Sequence, residues 1–177
     1  MITDVDAEGT GTAKTSAAKT SAAKTSAAKP GADGTGTLLP ELEIDVTPTF
    51  VIAAAIATRD FQDVHHNRDR AVERGGKDIF INILTTSGLV QRYVTDWAGP
   101  DAMVRKIAIR LGVPCYSGDK LTFSGKVVEA GGGEYVVEVT GRCSIGDHVT
   151  GTVRIGLGAP GGPGVTGGPG IPGGSAP

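Results

Sequence analysis

The chain has 177 residues, with 17 Lys and Arg against 19 Asp and Glu, a formal net charge of -2, and so no broad field that would make a nucleic acid its default partner. Its longest uninterrupted apolar run, Phe50 to Ala57, covers eight residues, where a membrane-spanning helix needs roughly 20. Asp4, Asp6 and Glu8 stand where a secretory leader would carry basic residues, so the expected compartment is the cytoplasm.

The 28 Gly and 10 Pro gather near the two ends, which leaves residues 38–157 as the one globular domain expected. Residues 1–37 read as a linker-like tail. Between Lys14 and Lys29 the unit T-S-A-A-K repeats, and a five-residue period turns about 140° per repeat on a helix. Lys14, Lys19, Lys24 and Lys29 therefore form no stripe, and no apolar face is available for docking. The G-T-G-T-A-K-T stretch from Gly9 lacks the Gly directly before Lys that a phosphate loop requires. Residues 158–177 carry glycine at every third position with Pro160, Pro163, Pro169 and Pro172 third in their triplets. That is the collagen period, but the run is too short and loose for a triple helix, so a flexible tail is expected.

Within the domain, Thr47-Pro48 looks like a helix N-cap with proline in the first turn, opening a helix over Phe50 to Thr58. A second helix is expected from Ile79 to Trp97. Its apolar residues face nearly every direction, which requires other structure to wrap it. After Gly99-Pro100 the pattern changes to strands: Met103 to Leu111, Lys120 to Glu129, Glu134 to Arg142 and His148 to Leu157, with Gly131-Gly132-Gly133 closing a hairpin. On the third strand Val136, Glu138, Thr140 and Arg142 are expected to face solvent, opposite Tyr135, Val137 and Val139. The predicted fold is α+β, a curled antiparallel sheet around one long buried helix. Cys115 and Cys143 read as free thiols, and with no C-x-x-C or H-x-x-x-H spacing no metal site is expected.

Arg59-Asp60-Phe61-Gln62-Asp63-Val64-His65-His66-Asn67 concentrates acid-base groups in one short stretch. On a continuous helix Asp60 and His65 would point about 140° apart, so they meet only if the helix ends near Asp60 and the chain turns, for which Gln62 and Asp63 are suitable. Such a pair would supply the base that water needs to act as a nucleophile. Adding water to a double bond conjugated with a carbonyl also needs donors for the oxygen as it becomes an enolate, and the backbone N-H groups of Asn82 and Ile83 are the candidates. The same Asp and His also fit a surface cap or a locally bonded turn, and the residues alone leave both readings open. His66 reads as structural or solvent-facing, and His148 as a turn residue at a strand start.

The stretch resembles the MaoC-like, (R)-specific enoyl-CoA hydratases of the hotdog fold. Their signature of Asp, a variable residue, Asn, Pro, an aliphatic residue and His reads here Asp60-Phe61-Gln62-Asp63-Val64-His65, with Gln62 and Asp63 as departures. The likeness continues through Asp78 to Thr85, Thr95 to Pro100, Tyr116 to Asp119 and Gly146 to Gly151. Where the family has His-Gly-Met at its helix start, this chain has Ile81-Asn82-Ile83, so the resemblance implies an oxyanion contact from the Asn82 backbone. Ala57 to His66 followed by Asp78-Ile79-Phe80 is similar to the small MaoC-like subunits of actinobacterial steroid side-chain hydratases. That resemblance implies a steroid 17-ene acyl-CoA substrate in cholesterol breakdown, no separate cofactor, and a heteromer with a second MaoC-like subunit carrying a DUF35 domain. Two alternatives stay open. One is a non-catalytic partner that shapes another subunit's pocket. The other is a hotdog thioesterase, although the second helix carries no acid between Ile79 and Thr95. Arg59, Arg68, Arg92, Arg105 and Lys106 are all candidates for contacting CoA.

Overall fold

The computed structural model describes residues 34–157; the readings of both tails fall, but for residues 34–37, outside the described residues. Five strands form one antiparallel sheet: β1 (Leu38–Asp45), β2 (Ala102–Leu111), β3 (Lys120–Gly131), β4 (Glu134–Cys143) and β5 (Gly146–Leu157), in the order β1-β3-β4-β5-β2. Helices α1 (Pro48–Ala57), α2 (Arg68–Glu73) and α3 (Ile83–Ala98) lie between β1 and β2 in the chain.

Alternation decides which face of the sheet is inside. Leu121, Phe123 and Val127 of β3, Tyr135, Val137 and Val139 of β4, and Val149, Val153 and Ile155 of β5 share the buried side. Against them α3 lays Thr86, Leu89, Val90, Tyr93, Val94 and Trp97. The sheet comes so close to the helix at Gly125 that a β-carbon there would stand 3.0 Å from Cε1 of Tyr93. The β3–β4 hairpin turns through Gly132 and Gly133, whose φ values of 59° and 81° are the left-handed pair a two-residue turn of this kind needs. Of the four β4 residues expected outside, Glu138 and Arg142 are exposed and Thr140 is half-buried, but Val136 is covered. It lies beside Glu129 and Arg154, which pair at 3.7 Å.

Three elements differ from expectation. β1 precedes the first predicted helix, where no element is expected; Pro40 cannot donate to a ladder and Glu41, Glu43 and Asp45 interrupt the apolar residues. As an edge strand paired only with β3, with a register shift between Leu39 and Leu42, it tolerates both. The long helix begins at Ile83, four residues later than expected. Ile79 to Ile81 run extended, Phe80 bridges Tyr116, and Asn82 caps α3 by accepting the Thr85 N-H at 2.8 Å. Nor is α3 apolar and wrapped on every side, since it buries one stripe while Ile83, Leu84, Gln91, Arg92 and Asp96 face outward. Short α2, capped by Asn67, was not anticipated. Among the described residues no helix is long and apolar enough to cross a membrane.

Candidate active site

The turn demanded by the Asp60–His65 spacing is made by the end of α1. Thr47 caps its start, accepting the Phe50 N-H at 3.1 Å, with Pro48 in the first turn. At the other end Arg59 N-H bonds the Ile56 carbonyl at 3.1 Å and Asp60 N-H reaches back to Ala55 at 2.9 Å, the paired pattern of a Schellman termination. That motif needs a left-handed residue, and Arg59 supplies it at φ 56° where glycine is the usual occupant. A single 3-10 turn, Asp63–His65, then carries the chain back. Asp63, standing where the family has proline, ties this turn to Arg74 at 2.9 Å.

The result brings His65 Nε2 to 3.4 Å from Asp60 Oδ2, with the imidazole buried and the carboxylate 17% exposed. The other ring nitrogen, Nδ1, lies 2.8 Å from the Phe80 carbonyl, and the Phe80 ring meets the imidazole edge to face at 5.0 Å. A carbonyl only accepts, so Nδ1 carries a proton, and Nε2 is the ring nitrogen turned toward Asp60. Asp60 is held from two sides. Asn82 Nδ2 donates to Oδ2 at 3.0 Å, and the Gln62 N-H approaches Oδ1 at 3.4 Å. Asn82 also donates to Thr58 Oγ1 at 2.7 Å, and that hydroxyl donates to the Ala54 carbonyl at 2.8 Å.

The expected pair thus meets, and Asn82 sits at the start of α3 as anticipated. Its side chain adds a role that its sequence position did not reveal: the cap of α3 is also the clamp on Asp60. Among the described residues neither the Asn82 nor the Ile83 N-H has an internal acceptor, as befits the first turn of a helix. The Phe80 carbonyl and Thr58 were also missed. Asn82, of a residue type that caps helices, was the one available signal. His66 is exposed, with Nε2 3.1 Å from the Phe61 carbonyl. Of the cations considered for CoA, Arg68 pairs with Asp78 at 3.1 Å and Arg92 with Asp96 at 3.2 Å. Arg59, Arg105 and Lys106 are exposed and form no ion pair among the described residues.

His148 is not a turn residue. It lies inside β5, 3% exposed, with Nδ1 2.7 Å from the Val113 carbonyl and Nε2 2.8 Å from Thr86 Oγ1. Burial holds its pKa below the ordinary 6.5, against a smaller opposing effect of the Val113 bond. The folded chain therefore resists a proton that the unfolded chain accepts below about 6.5. Stability is expected to fall as pH drops from there toward the lower folded value and then to level off. In a pH series of melting temperatures, His148→Gln should flatten that decline; an unchanged slope would contradict the assignment.

Shallow surface hollows lie at the β3–β4 hairpin and beside Gly99-Pro100, and neither is lined by Asp60 or His65. Ile56 and Phe61, beside Asp60 in sequence, and Ile83 and Leu84, which follow Asn82, are each more than half exposed.

No family model matches the chain. The beta subunit of the 3-oxo-4,17-pregnadiene-20-carboxyl-CoA hydratase of Mycobacterium tuberculosis is 58% identical over 122 residues, covering 69% of this chain and 95% of that protein. A chain of the ChsH1-ChsH2 complex from Mycobacterium tuberculosis, also 58% identical, superposes with a TM-score of 0.69 over 70% of this chain and 97% of its own. The (R)-hydratase of A. caviae involved in PHA biosynthesis shares 17% identity at a TM-score of 0.63, covering 70% of this chain and 96% of the other, and shows the common hotdog fold. With the sheet, the central helix and this degree of identity together, the chain belongs to the MaoC-like hydratases and is a hydratase subunit.

Proposed function

We propose that this subunit adds water across the α,β double bond of an acyl-CoA, with Asp60 and His65 activating the water and the N-H groups of Asn82 and Ile83 receiving the thioester oxygen. The observation that carries the reading is the approach of His65 Nε2 to 3.4 Å from Asp60 Oδ2. With the imidazole neutral, as a base must be, both atoms are acceptors and a shared donor can join them. A water molecule has the two O-H groups to do so, which leaves its lone pairs free to meet the β-carbon. As the C-O bond forms, the water proton passes to the pair and the π electrons move onto the thioester oxygen as an enolate. The helix-start N-H groups stabilise that charge, and return of a proton to the α-carbon completes the addition. Water alone balances the reaction, its proton ending on the α-carbon, so the reading calls for no cofactor.

The 58% identity to a steroid-carboxyl-CoA hydratase subunit supports the substrate class, and we take a steroid side-chain enoyl-CoA, encountered in the cytoplasm, as the substrate. The exposed apolar residues Ile56 and Phe61 beside Asp60 in sequence, and Ile83 and Leu84 after Asn82, support a second subunit as the other wall, because a bulky ligand is normally buried by roughly 70 to 90%. A second MaoC-like chain bearing a DUF35 domain fits that role. A thioesterase is disfavoured, since the first acid along α3 is Asp96, exposed near its far end and paired with Arg92. Loss of the conjugated enoyl absorbance should be seen with the assembled subunits and a steroid enoyl-CoA; thiol release instead of hydration would refute the reading.

The Asn82 clamp gives a sharper expectation. Asn82→Ala removes both the cap and the donor to Asp60, costing about 1 kcal/mol of stability and roughly 10- to 100-fold in turnover through misplacement of the carboxylate. Asn82→Asp keeps the cap but sets a second carboxylate against Asp60, so the two compete for one proton. Thermal melts should then rank Asp above Ala while both lose turnover. Normal kinetics in either variant would remove Asn82 from the site.

A further inference from the structure

Away from Asp60 and His65, the topology assembles a cluster that spacing along the chain conceals. Cys115 lies in the β2–β3 loop, Asp119 directly precedes β3 and Cys143 ends β4. One ligating atom from each lies within 4.8 Å of the others. Cys115 is fully buried, Cys143 nearly so, and neither forms a disulfide. Asp119 is oriented through both oxygens: the Tyr116 N-H donates to Oδ2 at 3.3 Å and the Ser144 hydroxyl to Oδ1. Metal sites hold their ligating carboxylates with such outer donors. Two sulfurs with one carboxylate oxygen suit Zn2+ and its thiophilic relatives, not Mg2+ or Ca2+.

We propose that Cys115, Asp119 and Cys143 bind one thiophilic divalent cation, Zn2+ being the natural candidate, each thiol releasing its proton to solvent as its sulfur takes the metal. Half-buried Asp119 and exposed Ser144 mark the solvent side, where water completes the coordination. The ion clamps the β2–β3 loop to the end of β4. It lies outside the proposed reaction but is joined to it by backbone. Cys115 accepts the Ile81 N-H at 3.2 Å, the Ser117 N-H donates to Ile79 at 2.8 Å, and Phe80, whose carbonyl orients His65, bridges Tyr116.

The test uses the full chain, free of affinity tags, stripped by a chelator and titrated with Co2+ alone. One ion per chain should bind, giving a thiolate-to-cobalt charge-transfer band and the intense visible spectrum of a tetrahedral site; Zn2+ should displace it and raise the melting temperature. Asp119→Asn should weaken binding on the order of 100-fold, one ligand's share of a structural zinc affinity, and Cys143→Ser should remove most of the charge-transfer intensity. If Cys143→Ser fails to fold, Asp119→Asn, at the solvent side, decides the matter alone. A pale octahedral spectrum without sulfur charge transfer overturns the proposal, as does a purified chain two hydrogens lighter from a Cys115–Cys143 disulfide. None of these readouts involves turnover, so they stand or fall separately from the hydratase reading.

Discussion

Asp60→Asn or His65→Ala is expected to lower the turnover of an enoyl-CoA by at least about 100-fold, the lower range for loss of a positioned general base. The two residues act on one water, so the double variant should lose little beyond the worse single one. Asp60→Asn keeps the size of the side chain and exchanges a charge-assisted acceptor for an amide, which leaves Asn82 Nδ2 able to bond the remaining carbonyl oxygen. His65→Ala also removes the bond to the Phe80 carbonyl and the edge-to-face contact with the Phe80 ring, so its melting temperature should fall where that of Asp60→Asn need not. The decisive measurement is turnover of the assembled enzyme alongside gel filtration. Intact assembly with near-normal turnover in both variants would show that the pair is structural and that water is activated elsewhere.

The largest effect on stability is expected at Phe123. It is fully buried in β3 and stacked on Tyr93 with 5.6 Å between ring centres, so it joins the inner face of the sheet to α3. Phe123→Ala should cost about 3 to 5 kcal/mol through lost transfer energy and the cavity left behind, a large share of the roughly 5 to 15 kcal/mol that holds a domain together. A companion substitution separates packing from other causes. A β-carbon at Gly141 would stand 2.9 Å from Cε1 of Phe123 and 2.8 Å from Cγ1 of Val149. Gly141→Ala should therefore destabilise the native chain but less so the Phe123→Ala chain, where one of the two clashes is gone. Strict additivity in denaturant titrations would argue that the two positions do not share a packing site.

Where a local rule and the tertiary environment agreed, sequence was sufficient. Thr47-Pro48 capped α1 as expected, and Gly132-Gly133 turned the hairpin, because both act through neighbouring backbone. Asp60 and His65 were legible for the same reason, since five residues of separation left only a chain reversal as a way to join them. The start of α3 was misplaced because Ile79, Phe80 and Ile81 are apolar enough for a helix, and what holds them extended is Tyr116, distant in sequence. His148 looked like part of a turn beside Gly146 and Asp147, yet its surroundings are set by Val113 and Thr86. The three-ligand cluster was invisible for that reason as well: Cys115 and Cys143 become neighbours only through the pairing of the strands.

Every group assigned to the chemistry falls between Thr58 and Ile83, in a stretch that, beyond its bonds to the flanking helices α1 and α3, is tied to the β2–β3 loop through residues 79–81 against 115–117. The ladders that make the sheet are elsewhere. Scaffold and reactive groups are thus separable inheritances: substitutions along this excursion can retune what is bound and how fast it reacts while the strands keep their register. Local opening can likewise release a product without melting the architecture that carries it.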